Sequence, residues 1–351
     1  MKKYLKFTGV LVTMMALQSN MAHGYGIGAK GIFEHGNPVH EAITRKAAID
    51  SKYLSAEDTY QMNHLIEGVR FNDDPEAYLA AGNVLGFGAK FLGKNKSKTN
   101  PTEAFHFGDY QFMHAMAKGG MPAHKVQNHI MLYAYHCWLS ATDNDSYAKF
   151  KLTYESVSQK IQNKSDNSEY GREELIMKEM IQLFPREVLF YNTDNQNSFQ
   201  NRALGSLLHM IQDSYAKGHT VRGDWEVGSN SGDIIYFQDY KEQDSHQHEL
   251  HDVPKSGKVT ESTVAEIPGA KMAYLRSKQV LEMAAKKCPW ASYDLNQNSS
   301  CSQSVYSFLN EEVFALDKNT SIESKKTHSH KELTQPIVKP QDEFNQMYGG
   351  G

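Results

Sequence analysis

Between Phe199 and Tyr215 the apolar residues Ala203, Leu204, Leu207 and Leu208 recur at helical spacing, yet the same stretch carries His209 and Asp213. A four-residue step puts these two groups on one face of a helix, and burial of that face demands a partner for each. A metal ion would serve both at once; a buried His–Asp hydrogen bond is the simpler alternative. Gly218 suits a helix end, which would let His219 fold back towards the same face. The step recurs at His248 and Asp252, in a segment that also holds His246. Sixteen histidines in 351 residues direct attention to ligand chemistry.

The rest of the chain has the same helical period. Apolar spacing predicts helices over 39–49, 56–69, 123–139, 150–161, 173–190, 199–215, 270–285 and 305–316, and the two-residue alternation of strands is scarce. The expected fold is mostly α: a single large helical domain with loops and a polar C-terminal extension. With 40% hydrophobic and 22% charged residues the chain can bury a core, which excludes collagen-like and wholly disordered classes. From Asp317 onward apolar periodicity disappears, so the expected boundaries are 25–316 for the domain and 317–351 for the extension.

Lys2, Lys3 and Lys6 precede an apolar stretch from Phe7 to Leu17 and then Gln18, Ser19 and Asn20, the layout of a secretory signal peptide over residues 1–24. The expected location is therefore secreted or periplasmic. Removing the three lysines makes the formal charge of −4 more negative, which gives no general attraction for nucleic acid. Outside the N-terminus no apolar run is long enough to cross a membrane. Cys288 and Cys301 are close enough to close a small loop in an oxidising compartment, whereas Cys137 sits in an apolar helical stretch as a buried thiol. Between Asp74 and Phe105, Leu85, Phe87, Phe91 and Leu92 are interleaved with glycines and followed by Lys94, Lys96 and Lys98. Two readings stand for this loop: one that dips into a lipid interface, and one that packs on the core with a solvated basic edge. His124, His129 and His136, in or beside an apolar helix, read as core or surface histidines rather than ligands.

In chain order the sequence offers His40, Asp73, His106, the His209-x3-Asp213-x5-His219 block, and the pair His248 and Asp252. This order resembles the zinc-dependent phospholipase C and single-strand nuclease superfamily, over roughly 25–316. The resemblance implies a mostly α-helical domain with three zinc ions in a cleft. Carried over by position, Asp73, His106, His209 and Asp213 would surround one ion, and His219, His248 and Asp252 a second. Asp213 would bridge to a third ion held by His40 and the mature N-terminus. The family's N-terminal ligand is usually a Trp; here the backbone of Tyr25 would take its place, with His35 as a substitute. His246 competes with His248, but only His248 has a carboxylate four residues on.

The resemblance is nearest to the phosphatidylcholine-cleaving enzymes of Gram-negative bacteria. It implies a phospholipase C that acts at a membrane surface, with Asp73 as the catalytic residue that orients or deprotonates the attacking water. Diacylglycerol and a phosphorylated head group would be the products. Two alternatives stand beside it: a zinc-dependent single-strand nuclease or nucleotidase, and a periplasmic zinc-binding protein without turnover.

Overall fold

The computed structural model describes residues 38–73, 105–106, 108, 110–119, 121–142, 196–224, 230–240, 259–260, 262–290 and 300–318. The signal segment, Tyr25, His35, the 74–104 loop, the helices expected over 150–161 and 173–190, His246, His248, Asp252 and the tail from 319 onward lie outside these residues.

The fold is mostly helical, as the apolar period requires. Helix α1 (Val39–Asp50) begins after Pro38, whose carbonyl accepts the first helical bond from Ala42 N–H. It buries Val39, Ile43 and Ala47 on one face. Helix α2 (Thr59–Asp73) starts three residues later than the pattern predicts and runs four residues further, so that Asp73 is its last residue. Helix α3 (Ala123–Thr142) places Val126, Ile130, Ala134, Cys137 and Trp138 in the core. Helix α4 (Gln196–Asp213) is buried over most of its length, and α5 (Ala270–Ala285) packs against α1 and α4. A short α6 (Val305–Phe308), capped by Ser304, continues as a π-helical turn through Leu309–Val313.

Helices α2 and α4 cross at their backbones. A Cβ on Gly68 would lie 2.1 Å from the Arg202 carbonyl oxygen, and one on Gly205 would lie 2.1 Å from the Leu65 carbonyl oxygen. Only glycine permits this approach. The two helices run alongside each other, with Ser198 bonded to Tyr60, Arg202 to Glu67, Ser206 to Asn72, and His209 near Asp73. The C-terminal ends of both helices thus meet at one place.

The periodicity predicts α4 through Tyr215, but the helix stops at Asp213. The Ser214 carbonyl, which a continuing helix would use, instead accepts bonds from Thr220 Oγ1 (2.6 Å) and Arg222 Nε (2.7 Å). Arg222 is buried, stacks over the Tyr215 ring at 4.0 Å, and also donates to the carbonyls of Gly232 and Val313. The chain therefore turns sharply and enters β1 (Thr220–Arg222), which pairs antiparallel with β2 (Ile234–Phe237). This hairpin is too short for an alternating pattern to reveal it. Cys288 and Cys301 form a disulfide, with Cα atoms 5.7 Å apart. Cys137 is a buried free thiol whose pKa is pushed up to about 12 by burial.

Candidate metal centre

The ends of α2 and α4, the start of α1, one 3-10 turn and the turn before β1 bring six titratable side chains together. His40 comes from the first turn of α1, Asp73 from the last residue of α2, and His209 and Asp213 from the last turn of α4. His219 returns from the turn before β1, with its Nδ1 3.4 Å from Asp213 Oδ2. His114 ends the 3-10 helix Gln111–His114, where Ala115 takes a left-handed backbone (φ 48°) and reverses the chain. Asn72 docks this turn, since its amide donates to the carbonyls of Met113 (2.8 Å) and Ser206 (3.3 Å). Every one of these side chains and His106 is at most 2% exposed.

The two oxygens of Asp213 face different partners. Oδ1 lies 3.1 Å from His40 Nε2, while Oδ2 lies 2.8 Å from His209 Nε2 and 3.0 Å from His114 Nδ1. His114 Nδ1 and His209 Nε2 are themselves 3.1 Å apart, and Asp73 Oδ1 stands 3.7 and 3.8 Å from them. Ligand atoms held tetrahedrally at about 2.0–2.1 Å from a zinc ion sit about 3.3 Å from each other. The observed separations bracket that value, and two imidazole nitrogens with two carboxylate oxygens form a suitable donor set. Buried His/Asp groups are thus placed to bind a metal ion, one set being Asp73, His114 and His209, the other His40, His209 and Asp213. His209 belongs to both, and Asp213 reaches the first through Oδ2, 3.0 Å from His114 Nδ1.

Hydrogen bonds around the cluster set which nitrogen faces inward. Gln212 donates from Nε2 to Thr44 Oγ1 (2.8 Å) and Ser277 Oγ (3.3 Å), so its Oε1 accepts from His40 Nδ1 at 2.8 Å. With Nδ1 carrying a hydrogen, Nε2 is the nitrogen of His40 turned towards Asp213, a donor to its carboxylate when protonated and a ligand atom when not. His219 Nδ1 donates to the His114 carbonyl at 2.6 Å, which likewise leaves Nε2 as its ligand atom.

Burial and the neighbouring charges shift the imidazoles in opposite directions. Burial depresses the His40 pKa, but the Asp213 charge and hydrogen bond and the Asp73 charge outweigh it and raise the value to about 9. Burial also dominates at His209; the charges of His40 and His114 add to it, Asp213 opposes, and the value falls to about 3. At Asp213 burial favours the neutral acid, yet the surrounding His209, His219 and His40 hold the carboxyl well below its ordinary range. A proton on His40 can thus balance one buried carboxylate, and His209 stays neutral. No lysine or arginine pairs with Asp213 among the described residues. A cation held among these side chains would add to that balance.

Of the residues expected from the sequence, His40, Asp73, His209, Asp213 and His219 meet at this place. His106 is adjacent: its ring lies 4.6 Å from that of His114, and it is His114 that stands beside Asp73, His209 and Asp213. Tyr25, His248 and Asp252 lie outside the described residues. His114 was not singled out by sequence reasoning, because it has no carboxylate at helical spacing; its one signal is its place in the apolar run Phe112, Met113, Ala115 and Met116. His129 is buried against Phe112 at 5.4 Å, and His136 is depressed to about 4 by burial. Neither belongs to the candidate metal groups found among the described residues.

Comparison of the chain with protein-family profiles, with curated proteins and with solved structures finds no match.

Proposed function

We propose that this protein is an exported zinc-dependent phosphodiester hydrolase of the phospholipase C type. The observation that carries the reading is the placement of Asp213, whose two oxygens face separate sets of buried imidazoles, with Asp73 beside one set. A carboxylate so placed would serve cations held on either side of it, and paired cations of this kind would stabilise the charge of a phosphodiester under attack. Zinc bound there, three ions by the resemblance, would supply Lewis-acid charge at the phosphoryl oxygens and lower the pKa of bound water. The side chains that would hold them are His40, Asp73, His114, His209, Asp213 and His219, with His106 next to them.

Asp73 accepts the proton of the attacking water. The water oxygen forms the new bond to phosphorus, the bond from phosphorus to the glycerol oxygen breaks, and the departing alkoxide takes up a proton from solvent. Gln212, Thr44 and Ser277 keep the ligand nitrogen of His40 turned inward. The Cys288–Cys301 disulfide supports export, since such bonds persist in oxidising compartments. Among the described residues no helix is long and apolar enough to cross a membrane.

The test offers zinc-loaded protein to phosphatidylcholine vesicles, to single-stranded nucleic acid and to a generic phosphodiester, each with a chelator control. Chelator-sensitive release of diacylglycerol is the expected result. Release of nucleotides alone would transfer the site to a nuclease, and zinc binding with no turnover on any substrate would leave a binding protein. Asp73→Asn is expected to keep the fold and lose most turnover; near-wild-type hydrolysis by the fully metallated variant would remove the assignment of the base.

A further inference from the structure

His106, His114 and His219 come from three separate turns of the chain, and one aromatic ring touches all three. The centroid of Tyr240 lies 5.0 Å from His106, 5.7 Å from His114 and 5.8 Å from His219, each in edge-on geometry. These are the separations at which aromatic rings attract through the edge of one and the face of another. Tyr240 is buried, at the end of a segment that leaves β2 and has no helical or strand bonds of its own.

Hydrogen bonds stitch that segment to the carriers of the imidazoles. Gln238 N–H donates to the His219 carbonyl (2.9 Å), and the Gln238 carbonyl accepts from Ala117 N–H (2.9 Å), three residues past His114. Gln238 Nε2 donates to the Lys217 carbonyl at 2.6 Å. Asp239 Oδ2 accepts from Gly119 N–H (2.6 Å), and its Oδ1 accepts from Gln111 Nε2 (3.2 Å). Gln111 Oε1 in turn accepts the Tyr240 N–H at 2.9 Å. Gln111 opens the 3-10 helix that ends in His114. The same few residues thus tie down the chain on both sides of the cluster and seat the ring between.

We propose that Tyr240 is a positioning residue for the metal centre, its ring face and edge setting the orientation of His106, His114 and His219 while Gln238 and Asp239 hold the ring in place. A metal-ligating imidazole needs its plane fixed by its surroundings, and loss of such support typically costs 10–100-fold in metal affinity. For His219 the orientation comes jointly from Tyr240 and from the His114 carbonyl. The contacts to the three imidazoles are made by the ring, which phenylalanine keeps.

The inference rests on the reading of the cluster as a cation site. Its test is zinc affinity, measured by competition against a chromogenic chelator, together with the visible spectrum of the cobalt-substituted full chain. Tyr240→Phe is expected to match wild type in both. Tyr240→Leu is expected to lose about 10–100-fold in affinity and to shift the cobalt bands. A leucine variant with wild-type affinity and spectrum overturns the proposal, and so does a phenylalanine variant as impaired as the leucine one. Should Tyr240→Leu fail to fold, Gln111→Met decides, since it frees the Tyr240 amide and leaves the ring: a weakened affinity supports the role and an unchanged one overturns it. If wild type itself binds no divalent cation, the metal reading fails first, independently of Tyr240.

Discussion

Helices α2 and α4 bury two polar clusters along one shared seam, and the two differ in what balances their charge. Near the N-terminal end, Arg202 donates to Glu67 and, from Nε, to His64 Nδ1 at 3.2 Å, while Asn201 bridges Gln61 (2.6 Å) and Tyr53 (3.0 Å). One guanidinium meets one carboxylate, and the cluster is closed. Near the C-terminal end, two carboxylates face imidazoles, His209 is held neutral, and His40 can supply one charge. Burial is similar at Arg202 and Asp213, so depth does not separate a structural cluster from a ligand cluster. The partners do: a guanidinium meets the carboxylate at one end, whereas imidazoles and two carboxylates at the other form a donor set that suits a metal ion.

The comparison breaks most sharply at Asp213. Asp213→Asn removes the charge that joins both ligand sets, and the expected loss of turnover is about 10³-fold or more, as removal of several kcal/mol of charge stabilisation implies. Metal analysis of the purified variant should show fewer ions per chain; an unchanged count would mean that Asp213 is an ordinary buried acid. At the closed end Arg202→Met leaves Glu67 without its guanidinium. It is expected to cost about 3 kcal/mol of stability by denaturant titration with the metal count unaltered. A fall in metal content there would show that the clusters are not separate.

Gln212→Met sharpens the contrast at smaller scale. It releases the Nδ1 hydrogen of His40 and is expected to weaken zinc binding by about 10–100-fold while the fold remains, as isothermal titration can check. The smallest effect is expected away from both clusters, at His136. Burial lowers its pKa from 6.5 to about 4, so between those values the unfolded chain binds a proton that the folded chain does not. Stability contributed by His136 is thus full above pH 6.5 and is lost as pH falls towards 4. His136→Asn should flatten the slope of melting temperature against pH in that window; an unchanged slope would assign the acid sensitivity elsewhere.

Much of this was legible in the sequence, and for a definite reason. Helices α1, α3 and α5 begin where their apolar period begins, because each turns one stripe to the core, and α5 also ends where the period does. Helix α4 shows where the period misleads: Leu207, Ile211 and Tyr215 continue the stripe, but the helix ends two residues early and the chain turns away, with Thr220 and Arg222 bonded to the Ser214 carbonyl. No local pattern encodes a side chain that reaches back eight residues to do this. His114 was silent for the same reason, since it has no carboxylate at helical spacing.

The pairing of His209 with Asp213 on one helical face, the mostly helical class and the proximity of the two cysteines follow from contacts within a few residues, and such contacts are written in spacing. What Asp213 faces is decided over distances that spacing does not encode: His114 lies 95 residues before His209, and His40 lies 172 residues before Gln212. Those groups meet because Gly68 and Gly205 let two backbones touch, which carries the ends of α2 and α4 to one place. Close packing in three dimensions, not periodicity along the chain, gathers scattered histidines and two buried acids into a group that could hold a metal ion.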